Sequence, residues 1–159
     1  MRKFALVALV VVAVATAATP EMQRIQVVRP EAAPAPGAPE RFTGKAFVKS
    51  RFEGTRPSHL VSALVSFEAG ARTAWHTHPH GQLLVVTSGC GWVQQRGGEA
   101  QQIRVGDIVW TPPGVAHWHG AGAKVPMSHA VVHERFDTQE VTWMQKVSAE
   151  EYGSAVCEP

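Results

Sequence analysis

GARTAWHTHPHGQLLVVTSG, residues 70–89, carries the His-x-His pair His76 and His78, then Gln82, with a glycine at either end. On an extended segment, residues two apart leave the same face, so the two imidazoles project together. Two imidazoles on one face can share a cation, and neutral imidazole is the commonest protein ligand for a transition metal. A chance histidine-rich loop would read the same way in isolation. A matching stretch downstream, GDIVWTPPGVAHWHGA at residues 106–121, argues against chance, because it places Pro112, Gly114 and His117 at set intervals after Gly106.

Outward from these two stretches, the chain from Arg41 reads as short strand-like runs broken by glycine and proline. FTGKAFVKSRF and HLVSALVSFE come first, and LLVVTS, WVQQR, QQIRV and DIVWT follow, divided by Gly89, the Gly97–Gly98 pair and Gly106. SHAVVHERF and VTWM close the series, and a short helix is predicted around Ser148 to Tyr152. No segment holds a helical period, and no repeat is present. Many short strands with turns at this spacing predict an all-β fold, a small antiparallel sandwich or barrel. The five tryptophans, Trp75, Trp92, Trp110, Trp118 and Trp143, are read as core packing residues.

The 159 residues suffice for one domain with a real core. Met1-Arg2-Lys3, the apolar run from Phe4 to Ala15 and the small residues Ala15-Thr16-Ala17 form a three-part secretory signal pattern. Residues 1–18 are therefore read as a signal peptide, with an uncleaved amino-terminal anchor as the alternative, and the mature chain as periplasmic or secreted. Residues 19–40, rich in proline and alanine, are read as a linker with no chemistry of its own. Residues 41–153 form the predicted barrel domain and 154–159 a tail. Without Arg2 and Lys3, basic and acidic residues balance at thirteen each, so no basic face is implied and nucleic acid is excluded as a partner. Export would permit a disulfide between Cys90 and Cys157. Cys157 however falls in the predicted tail, and Cys90 reads as a small buried hydrophobe.

Together the two stretches resemble the paired motifs of the cupin family. The first, G-x5-H-x-H-x3/4-E-x6-G, is matched by Gly70, His76, His78, Gln82 and Gly89. The second, G-x5-P-x-G-x2-H-x3-N, is matched by Gly106, Pro112, Gly114 and His117. The resemblance implies a cupin barrel, a double-stranded β-helix or jelly roll, over about residues 41–147. Two positions depart from the pattern: Gln82 replaces the usual glutamate and Ala121 the final asparagine. A glutamine oxygen can still coordinate a cation, but it leaves the ion's full charge uncompensated and so favours an anionic guest. With ARTAWHTHP, GCGW, HWHGA and the closing WM, this change makes the chain similar to the small bacterial manganese cupins that act as (R)-selective hydroxynitrile lyases.

That resemblance implies one divalent transition metal per chain, held by His76, His78, Gln82 and His117, with Mn2+ expected and Fe2+, Zn2+ or Ni2+ as alternatives. It also implies Ala63, Val65 and His119 as pocket residues. His129 and His133, four apart, share a strand face and are the candidate catalytic bases, His129 accepting the hydroxyl proton of a cyanohydrin. His80 is read as exposed in its turn and His59 as surface. The expected partner is a small molecule, a cyanohydrin or aldehyde, and cupins commonly form homodimers or homotetramers. Two further readings remain open. One is a metal-dependent dioxygenase acting on a small enol or aromatic compound. The other is a barrel that binds a small ligand and catalyses nothing.

Overall fold

The computed structural model describes residues 24–29, 33–153 and 157. The predicted signal segment and most of the predicted tail lie outside the described residues. In chain order the strands are β1 (Ala35–Pro36), β2 (Phe42–Thr43), β3 (Ala46–Glu53), β4 (Leu60–Phe67), β5 (Arg72–Thr73) and β6 (His76–Thr77). They continue with β7 (Gln82–Gln95), β8 (Gln101–Arg104), β9 (Ile108–Thr111), β10 (His117–Ala121), β11 (Met127–Glu134) and β12 (Thr142–Trp143), followed by α1 (Ala149–Tyr152). Among the described residues no helix is long and apolar enough to cross a membrane.

Alternation builds the centre of the sheet. In β4, Val61, Ala63, Val65 and Phe67 are buried while the intervening residues are half-buried; in β11, Met127, His129, Val131 and His133 do the same. The two strands pair antiparallel, setting His129 opposite Val65, Val131 opposite Ala63 and His133 opposite Val61. On its other side β11 pairs β7, which puts His133 opposite Gln82 and His129 opposite Val86. The sheet runs β1-β3-β4-β11-β7-β10-β5-β2 and curls into an all-β barrel. Its inner face packs Phe42, Val65, Phe67, Leu84, Val86 and Met127 into one core cluster.

β7 is where the barrel turns. Its first half pairs β9 and β11, and its second half pairs β8 and β10. Gly89, read from sequence as a divider between two strands, instead lies inside this single strand. Its φ is 66°, and Thr87, two residues earlier, is skipped in the register with β11, which marks a bulge just before it. A Cβ on Gly89 would collide with the carbonyl of Pro126, so a bare backbone is needed at the bend.

Three other expectations are revised. The linker ends in order: Ala35–Pro36 pairs with Phe47 and Val48 of β3, an edge position at which proline is tolerated. The tryptophans divide, with Trp75 and Trp118 in a second buried cluster with Val147 while Trp110 is 57% exposed on β9. Cys157, placed in the predicted tail, is buried and disulfide-bonded to Cys90, which is therefore not merely a small buried hydrophobe. The chain returns to the barrel there because α1, capped by Ser148 and Glu151, sets Tyr152 to donate its hydroxyl to the Ala121 carbonyl at 2.9 Å. Gly122 leaves room for the arriving sulfur, since a Cβ on it would overlap the Cβ of Cys157.

Candidate metal centre

β6, β7, β10 and β11 each send histidine or glutamine side chains to one end of the barrel interior. β6 and β10 are in register at His76 and His117, whose ring centroids lie 4.2 Å apart. The turn that carries Pro112 and Gly114 is tied to the first motif by the Gly114 N–H, which donates to the His78 carbonyl at 2.9 Å. Gly114 has a φ of 72°, so the motif's glycine permits this turn. Behind β10, Trp118 points the other way into the cluster with Trp75 and Val147. That covering buries both faces of HWHGA.

Three of the imidazoles are oriented alike. Nδ1 of His76 donates to the Ala74 carbonyl at 3.0 Å, Nδ1 of His78 to the Glu140 carbonyl at 2.9 Å, and Nδ1 of His117 to the Val115 carbonyl at 3.0 Å. With its hydrogen on Nδ1, each neutral ring presents a bare lone pair at Nε2, the arrangement usual for metal-binding histidine. Gln82 stands between two of these lone pairs, its amide 2.8 Å from His78 Nε2 and 2.9 Å from His117 Nε2. The amide can satisfy only one of them, because whichever way it is turned its oxygen faces the other lone pair. A bound cation removes that conflict by accepting from all of them, so the donor set fits a divalent metal.

His119 enlarges the group. The ligand atoms of His76, His117 and His119 all lie within 4.8 Å of one another, a three-histidine group that could bind a metal. His78 and Gln82 reach the same cluster through the contacts above. His119 Nδ1 is 3.1 Å from His129 Nε2, while His119 Nε2 and His129 Nδ1 have no hydrogen-bond partner. One proton is shared across the 3.1 Å contact, so its position decides whether His119 presents a lone pair or an N–H at Nε2.

Burial sets the charge of the whole cluster. It pushes His78 down to about 3 and His129 to about 4, and lowers His76, His117, His119 and His133 as well. For His78 the neighbouring His133 and His117 add to the effect. All six rings are therefore neutral at neutral pH, the state a metal ligand requires. For His129 this revises an expectation: it is fully buried and a weaker base than a solvated imidazole, because its imidazolium would lose its hydration.

The remaining sequence candidates surround a cavity of about 450 Å³. Ala63, Val65, His119, His129 and His133 all line it, together with His76, His78 and Gln82. His133 is buried with neither ring nitrogen hydrogen-bonded; its Nε2 lies 3.7 Å from the Glu140 carboxylate. His80 and His59 are exposed and outside the site. Three contributors were not foreseen. Glu140 supplies the carbonyl that orients His78 from 62 residues away, and Arg51 holds its carboxylate at 2.7 and 3.0 Å. Trp143, read as packing, places its ring 4.8 Å from that of His76 at the cavity wall. Only its place in the WM pair near the end of the chain singled it out; nothing in HERFDTQE marks Glu140.

A curled antiparallel barrel with histidines converging from two motifs at one end defines the class, and the chain belongs to the cupin family. The family's description, "Cupin domain", matches residues 63–133. Among known proteins it is 47% identical over 116 residues to an (R)-mandelonitrile lyase of Granulicella tundricola, covering 73% of this chain and 88% of that one. The crystal structure of a cupin-like protein from Thermotoga maritima superposes with a TM-score of 0.70 at 37% identity, covering 75% of this chain and 90% of that one. A DMSP lyase from Ruegeria pomeroyi gives a TM-score of 0.53 at 18% identity over 73% of this chain and 60% of that one, which reflects the fold alone.

Proposed function

We propose that the protein is a metal-dependent hydroxynitrile lyase, cleaving a cyanohydrin to an aldehyde and cyanide and catalysing the reverse addition. The observation that carries the reading is Gln82, a neutral side chain set between His78 Nε2 and His117 Nε2 where a carboxylate would offset the charge of the metal. Its similarity to an (R)-mandelonitrile lyase over most of both chains supports the same chemistry. His76, His78, Gln82 and His117 would hold the ion, with manganese the expected metal. When bound, it supplies Lewis-acid stabilisation of negative charge on oxygen or on departing cyanide.

The protein's own groups handle the proton. With the shared hydrogen on His129 Nε2, donated to His119 Nδ1, the lone pair of the His129 ring is on Nδ1. That nitrogen takes the cyanohydrin hydroxyl proton as the carbon–carbon bond to nitrile breaks and the carbonyl forms. In the same tautomer His119 presents an N–H at its unpartnered Nε2, a donor for the leaving anion. The protonated His129 then gives that proton to the departing cyanide, which leaves as HCN and returns the ring to its neutral state, while His133 lines the cavity beside it. Phe42, Val65, Val131 and Trp143 line the cavity and exclude water from the organic part of the substrate. The Cys90–Cys157 disulfide supports the reading that the chain is exported, because such bonds persist in oxidising compartments.

The test is metal analysis of purified protein, followed by an anaerobic assay of cyanide release from mandelonitrile. Release that depends on metal and not on oxygen is expected. Oxygen consumption with an enol or phenol and no cyanide release would replace this reading with the dioxygenase.

A further inference from the structure

Arg41 lines the cavity without a close carboxylate partner. The cavity's ionised lining side chains are Arg41, Arg51 and Glu140, since burial keeps the lining histidines neutral. Arg51 is matched: it meets Glu140 at 2.7 and 3.0 Å and Glu53 at 2.8 Å. Arg41 is not. Its nearest carboxylate, Glu40, is 3.9 Å away with both side chains more than half exposed, a contact of little energy in water.

Arg41 is nevertheless held in place. Its carbonyl accepts from the Ala74 N–H at 2.7 Å, fixing the backbone two residues before His76. Its guanidinium lies over the face of Trp143 at 5.7 Å. The Trp143 ring is in turn 4.8 Å from His76 and 6.1 Å from Phe42. An aromatic wall therefore leads from the imidazole cluster to one guanidinium.

Resting on the aldehyde–cyanohydrin reading above, we infer that the preferred substrates are aromatic aldehydes and cyanohydrins bearing a carboxylate at the far end of the ring, with Arg41 as the specificity-determining residue. Guanidinium matches carboxylate in charge and in its paired N–H geometry, and such hydrogen bonds are the strong ones. A neutral ring would leave the Arg41 charge in solvent and gain nothing from it.

The experiment uses the full, metal-loaded chain and two probes of nearly equal shape, 4-carboxybenzaldehyde and its neutral amide, 4-formylbenzamide. Equilibrium binding is read without cyanide, by calorimetry or by tryptophan quenching. The acid is expected to bind about tenfold tighter than the amide, with the margin shrinking as salt rises. Arg41→Gln should bring the two within twofold by weakening the acid far more than the amide, and Arg41→Lys should keep part of the preference. Equal affinities in the wild type, no binding of the acid, or a preference that survives in Arg41→Gln would each overturn the inference. Cyanide release from the corresponding cyanohydrins is then measured separately. An Arg41-dependent preference without cyanide release would sink the lyase reading alone, and release without the preference would sink the role of Arg41 alone.

Discussion

Lowering the pH of the metal-free protein from 7.5 to 5.0 should cost it a large part of its stability, and the buried histidines set how much. Burial holds His129 at about 4 and His78 at about 3, against 6.5 for an ordinary imidazole. At pH 5 the unfolded chain has both rings protonated while the folded chain keeps both neutral, so the unfolded state binds more protons. Stability contributed by these groups is complete above 6.5 and is lost as the pH falls through that value toward the folded-state values of about 4 and 3. At pH 5 each ring contributes a loss of about 2 kcal/mol. The two together remove about 4 kcal/mol from a domain whose total is on the order of 5–15 kcal/mol. His76, His117, His119 and His133, lowered by the same cause, add to the loss.

Urea unfolding of the metal-stripped, disulfide-intact protein, followed by tryptophan fluorescence, measures this directly. With a slope of about 2 kcal/mol per molar urea, the midpoint should fall by about 2 M between the two pH values. His129→Leu should reduce the difference between the two pH values by about 2 kcal/mol, whatever it does to stability at either one. A wild-type difference below about 1 kcal/mol would show that these rings are hydrated or already charged in the folded state. The neutral donor set on which metal binding rests would fall with it.

Three other outcomes follow from the site and its supports. His117→Ala should lose stoichiometric metal, whereas His129→Ala should keep it and lose about 10²–10⁴ in kcat; metal analysis and cyanide release separate the two. Gln82→Glu places a carboxylate between His78 and His117, so it should tighten metal binding and weaken affinity for cyanide, read by metal titration and by cyanide inhibition. Cys157→Ser opens a loop spanning 67 residues in sequence and should lower stability by about 4 kcal/mol on the chain-entropy account, read as a drop in Tm; no drop would mean the closing segment is held by Tyr152 and α1 alone.

The sheet was legible where one face is buried and the other wet. β4 and β11 alternate residue by residue, and their period of two is written in LVSALVSF and MSHAVVHE. It was illegible where both faces are covered. HWHGA of β10 has no alternation because Trp118 is buried under the returning carboxy-terminal segment while His117 and His119 face the interior. The same return pairs Cys157 with Cys90, which depends on Gly122 leaving room at a point far away in sequence. Gly89 looked like a boundary because a glycine between two apolar runs reads the same whether it ends a strand or bends one that continues.

By itself the sequence determined which residue types could bind an ion and at what local spacing, because His-x-His in an extended segment needs only the backbone's alternation to put two rings on one face. It also determined that the fourth donor, Gln82, brings no charge. Only the tertiary structure decided that His76 and His117, 41 residues apart, meet in register across two strands, and that Glu140 and Trp143 complete the surroundings from a third segment. Proton affinity was decided there too. It follows from how much water each imidazole loses, and that depends on everything packed around the ring, not on the residues beside it in the chain.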